Sequence, residues 1–194
     1  MKSLFVFVLA ALSSFVFAPA PALAGLEEAE VPESKRTSLG LYATAANAFQ
    51  AWEADPDAVT ILDVRTPEEF MFVWHPEMAI NIPLFMQTLN WDEGRGRFEM
   101  VPNPDFVDAV KGMLDPDDQV FVICRSGGRS AMAVDMLAES GFTNAWTVID
   151  GMEGDKVKDE SSPDYGHRTI NGWKNADLPW TYAIDPERMR LPSE

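Results

Sequence analysis

The sequence predicts an α/β domain, a central and mostly parallel sheet flanked by helices. Two observations carry that expectation. Residues 59–64 and 120–123 are short apolar runs rich in β-branched side chains, the pattern of strands buried on both faces. Around them lie segments with apolar residues about one helical turn apart, several opened by capping signals. At 194 residues the chain is long enough for one good-sized domain and hardly for two.

The first residues stand outside that domain. Lys2 supplies a minimal positive charge before an almost unbroken apolar run over residues 4–17, followed by Pro19, Pro21 and Ala22-Leu23-Ala24. This is the pattern of a secretory signal peptide, residues 1–24, cleaved before Gly25. The run is short for a spanning helix, and no cysteine stands at the cleavage point to take a lipid anchor. The expected protein is exported and soluble, periplasmic in a bacterial setting, with no membrane association after cleavage.

Residues 25–38 read as an acidic leader without apolar periodicity. Residues 39–42 suit a first strand. Thr44 is an N-cap for a helix through Ala46, Phe49, Ala51 and Trp52, ended by Asp55-Pro56. After the strand at 59–64, Thr66-Pro67-Glu68-Glu69 reads as a helix start: a cap, a proline at the first position and acids in the first turn. Asp63 and Arg65 fall where that strand ends, the edge at which parallel sheets collect ligands. Arg65 is expected to pair with Glu69, and Asp63 is a candidate for orienting a neighbouring loop.

Residues 84–105 form a long excursion in which 91–98 suit a hairpin. Its Arg95 and Arg97 are either solvated or part of a rim that steers substrate or docks a partner. Residues 104–114 read as a helix, and 144–149 as the last strand after the Ser140-Gly141 helix stop. In the extension, 155–194, Trp173, Leu178, Pro179, Trp180 and Tyr182 are too aromatic to be left in water. The extension is expected to pack back on the domain; the alternative is a lid bringing His167 or Trp173 near a substrate.

The chemistry concentrates at one place. Between the strand at 120–123 and a helical pattern at 130–139 lie Cys124, Arg125, Ser126, Gly127, Gly128, Arg129 and Ser130. A strand, a glycine-containing loop and a helix start make an anion cradle of backbone N–H groups, aided by the helix dipole. A thiol at its head, flanked by two arginines, is expected to be a good nucleophile. Cys124 is the chain's single cysteine, so it has no intramolecular disulfide partner and reads as a reactive thiol. No Cys/His cluster has metal-ligand spacing, and no cofactor is expected.

The stretch Cys124-Arg125-Ser126-Gly127-Gly128-Arg129-Ser130 resembles the active-site loop of rhodanese-like sulfurtransferases. Three further stretches are similar to that family's signatures and lie in its order: residues 61–70, residues 79–83 and residues 148–152. The resemblance implies a three-layer rhodanese-like domain over residues 39–154. It also implies that Cys124 takes sulfane sulfur from a small anionic donor such as thiosulfate, becomes a persulfide, and gives the sulfur to a thiol, sulfite or another nucleophile. Arg125 and Arg129 would bind the donor's oxyanion end, Ser126 would offer a hydroxyl, Gly127 and Gly128 would let the amides converge, and Ser130 would cap the helix. The family usually reads Gly-His where this chain has Trp74-His75, and that histidine is ordinarily structural.

Charge bears on partners. Fifteen Lys and Arg against 31 Asp and Glu leave a net charge of −16, which argues against nucleic acid and anionic lipid. Attraction of an anionic substrate must then be local to the loop. The rival readings are a periplasmic sulfur carrier or docking module serving a sulfur-oxidising protein partner, and a cysteine phosphatase or arsenate reductase of related fold. Phosphatase loops place five residues between cysteine and arginine; four separate Cys124 from Arg129, which suits a smaller cradle.

Overall fold

The computed structural model describes residues 25–191; the expected signal peptide lies outside the described residues. A five-stranded sheet is built from β1 (Tyr42–Ala43), β2 (Val59–Asp63), β4 (Ile80–Asn81), β7 (Gln119–Ile123) and β8 (Ala145–Val148), in the order β1-β8-β7-β2-β4. Every pair in it is parallel. This is the expected architecture, and β7 sits at its centre.

Alternation along the strands makes the three layers. Leu62, Val120, Val122 and Cys124 point to one face, against Phe106 and Val110 of α3 (Phe106–Lys111) and Ala133, Val134 and Leu137 of α4 (Gly128–Glu139). Ile61, Phe121 and Ile123 point to the other, against Ala45 and Ala48 of α1 (Ala45–Ala54) and Phe70 of α2 (Pro67–Phe72). Both of the latter helices start as read: the Thr44 and Thr66 side chains accept from the amides of Asn47 and Glu69, and each forms a reciprocal capping box.

The excursion is a hairpin, β5 (Phe85–Asp92) with β6 (Arg97–Pro102), paired antiparallel outside the main sheet. Asn103 closes its base, its side chain donating to the Pro83 carbonyl at 2.7 Å and its amide to Leu84 at 3.0 Å. The short strand β3 (His75–Pro76) pairs antiparallel with β9 (Trp180–Thr181) from the extension. Trp173 of that extension is completely buried in the α1-side core, edge-on to Phe49 with ring centroids 5.7 Å apart. Among the described residues no helix is long and apolar enough to cross a membrane.

The acidic leader packs on the domain: Val31 is buried, and the Lys35 ammonium reaches the Ile149 carbonyl at 2.8 Å and the Asp155 carboxylate at 2.9 Å. Two local expectations are corrected. Arg65 does not pair with Glu69. Its guanidinium grips Asp63 at 2.7 Å, both side chains being fully buried, because the strand end turns the two onto each other. Asp63 is thereby committed to Arg65. Ser130 does not cap α4 either. That helix begins two residues earlier, capped by Gly127 in the left-handed region (φ 94°), so Ser130 is already helical and its buried hydroxyl has no hydrogen-bond partner among the described residues.

Candidate active site

Cys124 follows the last residue of β7 at the carboxyl edge of the sheet, where α4 begins. Its sulfur accepts from the Gly127 amide at 3.2 Å. The next amides, of Gly128, Arg129 and Ser130, belong to the first turn of α4 and have no acceptor within the helix. Donors and dipole are therefore gathered at the N-terminal end of α4, the end next to the thiol.

The loop is clamped from below by the turn after β8. Met152 and Glu153 donate their amides to the carbonyls of Cys124 and Arg125 at 2.7 and 2.9 Å. Contact is so close that a side chain on Gly151 would place its Cβ 2.5 Å from the Cys124 oxygen. One on Gly127 would fall 2.2 Å from the Ile149 oxygen. Glycine is required at both places by close approach and by positive φ.

The thiol opens on a cavity of about 670 Å³. Its floor and one side are the loop residues Cys124, Arg125, Ser126, Gly128 and Arg129. The hairpin supplies a second wall through Gln87, Arg97, Phe98 and Met100, and Ser34, Glu69 and Met132 complete the rim. Of the loop residues proposed from sequence, Gly127 and Ser130 lie beneath the cavity surface, buried.

The two loop arginines differ. Arg129 donates from both terminal nitrogens to the two oxygens of Glu69, at 2.5 and 2.7 Å, so its charge is matched. Arg125, by contrast, is exposed and has no ion pair among the described residues. Arg97 likewise lines the cavity without a carboxylate partner among them. Burial pushes the Glu69 carboxyl up, but the hydrogen bonds and charge of Arg129, the Thr66 amide and Arg65 outweigh it, leaving its pKa below the ordinary 4.5. Burial opposes the charge of Arg129 too, and Glu69, with smaller help from Cys124 and Asp63, overcomes it and raises its pKa.

That pair fixes a pH dependence. A carboxyl whose folded pKa is depressed stabilises the fold above its unfolded pKa and loses that contribution as pH falls through the folded value. Glu69→Gln is therefore expected to cost about 1–2 kcal/mol at neutral pH, since Arg129 loses a mostly buried partner. The gap in thermal midpoint between wild type and variant should close as pH falls below the ordinary 4.5, where Glu69 itself becomes neutral. Melting curves across pH test this, and a gap that persists in acid contradicts it.

His75 lies away from the cavity. Its ring is stacked on Phe70 at 3.7 Å, Nδ1 is 2.9 Å from the Phe70 carbonyl, and burial lowers its pKa. His167 and Trp173 do not line the Cys124 cavity, so the extension does not form the lid considered above. Among the described residues no group of three or more His, Cys, Asp or Glu side chains is placed to hold a metal.

A family model described as "Rhodanese-like domain" matches residues 45–157. The chain belongs to the rhodanese-like family. Among its relatives, "Thiosulfate sulfurtransferase 16, chloroplastic" of Arabidopsis thaliana is 40% identical over 90 residues, 46% of this chain and 68% of that protein. "Protein HIGH ARSENIC CONTENT 1, mitochondrial" of the same plant is 41% identical over 108 residues, 51% of this chain and 58% of that protein. The crystal structure of Rv0390 from M. tuberculosis superposes with a TM-score of 0.56 at 26% identity, over 73% of this chain and 99% of that one. The rhodanese-like match leaves out two segments that bear on the site. One holds Ser34 and Lys35, the other Trp173, whose amide donates to the Gly151 carbonyl at 2.9 Å.

The sequence reading missed Glu69, Met132 and the leader as parts of the site. Glu69 and Arg129 are 60 residues apart, and nothing local marks their pairing. For Lys35 a signal existed: Leu39-Gly40-Leu41-Tyr42 places the leader one short turn from a core strand.

Proposed function

We propose that the chain is a sulfurtransferase that carries sulfane sulfur on Cys124 from an anionic donor of the thiosulfate class to a nucleophilic acceptor, a thiol or sulfite. Family membership and the sulfurtransferase name of a relative support sulfur transfer in general. The observation that carries the specific reading is the sulfur of Cys124 at the start of α4, 3.2 Å from the Gly127 amide, beneath a cavity with two unmatched arginines, Arg125 and Arg97.

The first half-reaction begins with the Cys124 thiolate attacking the outer sulfur of the donor. A sulfur–sulfur bond forms to Cys124, the donor's own sulfur–sulfur bond breaks, and its electron pair leaves with sulfite. The persulfide keeps one negative charge, facing the amides of the first turn of α4. In the second, an acceptor thiolate attacks the terminal sulfur and returns the Cys124 thiolate. Charge and atoms balance in both, and neither needs a general base, because no proton moves in the bond-making steps.

Arg125 holds the donor's oxyanion end in this scheme, aided by Arg97 from the hairpin. Arg129 holds the loop through Glu69. Local cations matter because the chain as a whole, at −16, repels anions. Arg125→Ala is expected to raise the KM for thiosulfate by about tenfold, the scale of one charge-assisted contact, with a smaller change in kcat. Steady-state kinetics decide it, and an unchanged KM would remove Arg125 from donor binding. The export pattern in residues 1–24 supports a periplasmic setting, for which cell fractionation is the test.

A further inference from the structure

A second cavity, of about 390 Å³, lies between the end of α2 and the extension. Cations converge on it: Lys156, Arg168 and Lys174 line it, with His167, against the single acid Glu153. These are three of only 15 Lys and Arg in a chain of net charge −16, so the clustering runs against the surface around it. Arg168 is anchored, donating to the Gly154 carbonyl, with its Nε 3.8 Å from Glu153. Lys156 and Lys174 are exposed and have no carboxylate partner among the described residues.

Trp74 holds one of these cations in place. It lines the same cavity and holds a left-handed backbone (φ 58°), a conformation a bulky aromatic residue adopts only at a cost and glycine adopts freely. The turn is held by the Trp74 carbonyl accepting from Arg65 at 2.8 Å, and the half-buried ring packs against the α1-side core. The ring, edge-on to Trp180 at 4.5 Å, carries the Lys174 ammonium 5.1 Å from its centroid.

We propose that this cavity is a binding site for a small oxyanion, of the sulfate, sulfite or phosphate type, held by Lys156, Arg168 and the Lys174 that Trp74 positions. It shares no lining residue with the Cys124 cavity, and its wall includes Glu153, the residue whose amide donates to the Arg125 carbonyl. The proposal does not depend on sulfur transfer, and its test reads binding alone.

The experiment compares ¹H–¹⁵N spectra of the labelled protein titrated with sodium sulfate and, at matched ionic strength, sodium chloride. Sulfate is expected to give saturable shifts at the amides of residues 153–156 and 166–169 and at the Trp74 indole that chloride does not give. Lys156→Gln with Lys174→Gln should weaken that binding by about fivefold or more, while Arg125→Ala leaves it in place. Both lysines are on the surface, so the double variant's own spectrum shows that it is folded. Equal responses to sulfate and chloride, an unchanged affinity in the double variant, or shifts confined to residues 124–130 would each overturn the proposal.

Discussion

Replacing Cys124 by serine is expected to lower sulfur transfer at least about a thousandfold, because a serine hydroxyl is not ionised at neutral pH and cannot hold a transferable sulfane sulfur. The same change should leave the thermal midpoint within about 2 °C of wild type. Serine differs from cysteine by one atom, and the Gly127 amide that lies 3.2 Å from the sulfur can donate to a hydroxyl instead. Cys124 is only 2% exposed, so a larger replacement would confuse loss of chemistry with loss of packing. Rate and melting curve measured on one preparation separate the two. A variant that still turns over at a tenth of the wild-type rate would place the chemistry elsewhere.

Gly127→Ala should damage both fold and chemistry. The residue has φ 94°, and the new Cβ would sit 2.2 Å from the Ile149 oxygen and 3.0 Å from Cδ of Lys35. Left-handed strain and overpacking together predict a loss of about 3 kcal/mol, or a midpoint lower by about 10 °C. The carbonyl that must yield is the one Lys35 holds at 2.8 Å, so the leader's attachment loosens along with the loop. The amide facing the Cys124 sulfur moves as well, and transfer should fall even where the variant is fully folded. The neighbouring glycine is the control. A Cβ on Gly128 meets nothing within 4 Å, and the residue is helical, so Gly128→Ala should be neutral or slightly stabilising. Equal effects at the two positions would contradict the account of the loop.

Much of this architecture is local, and the local part is what the sequence displays. The apolar runs of β2 and β7 need no partner to be recognised, and Thr66-Pro67-Glu68-Glu69 states its capping box in consecutive residues. The loop around Cys124 is likewise contiguous. What stayed hidden depends on which distant side chain comes to hand. Arg65 could reach Glu69 on a helix or Asp63 two residues back; only the strand end decides, and it frees Glu69 for Arg129. Ser130 has the chemistry of an N-cap, but the clamp from residues 149–153 forces Gly127 left-handed and starts α4 earlier. Lys35 hides in an acidic stretch because its value lies in a backbone carbonyl more than a hundred residues away, at Ile149.

The central claim is that Cys124 carries the sulfur, and intact mass tests it most directly. The protein is weighed before and after exposure to thiosulfate, and again after a reductant. The account predicts a gain of one sulfur atom, reversed by the reductant and missing in Cys124→Ser. No adduct from thiosulfate or from a polysulfide, in a protein whose thiol is shown to be reduced and accessible, would contradict it.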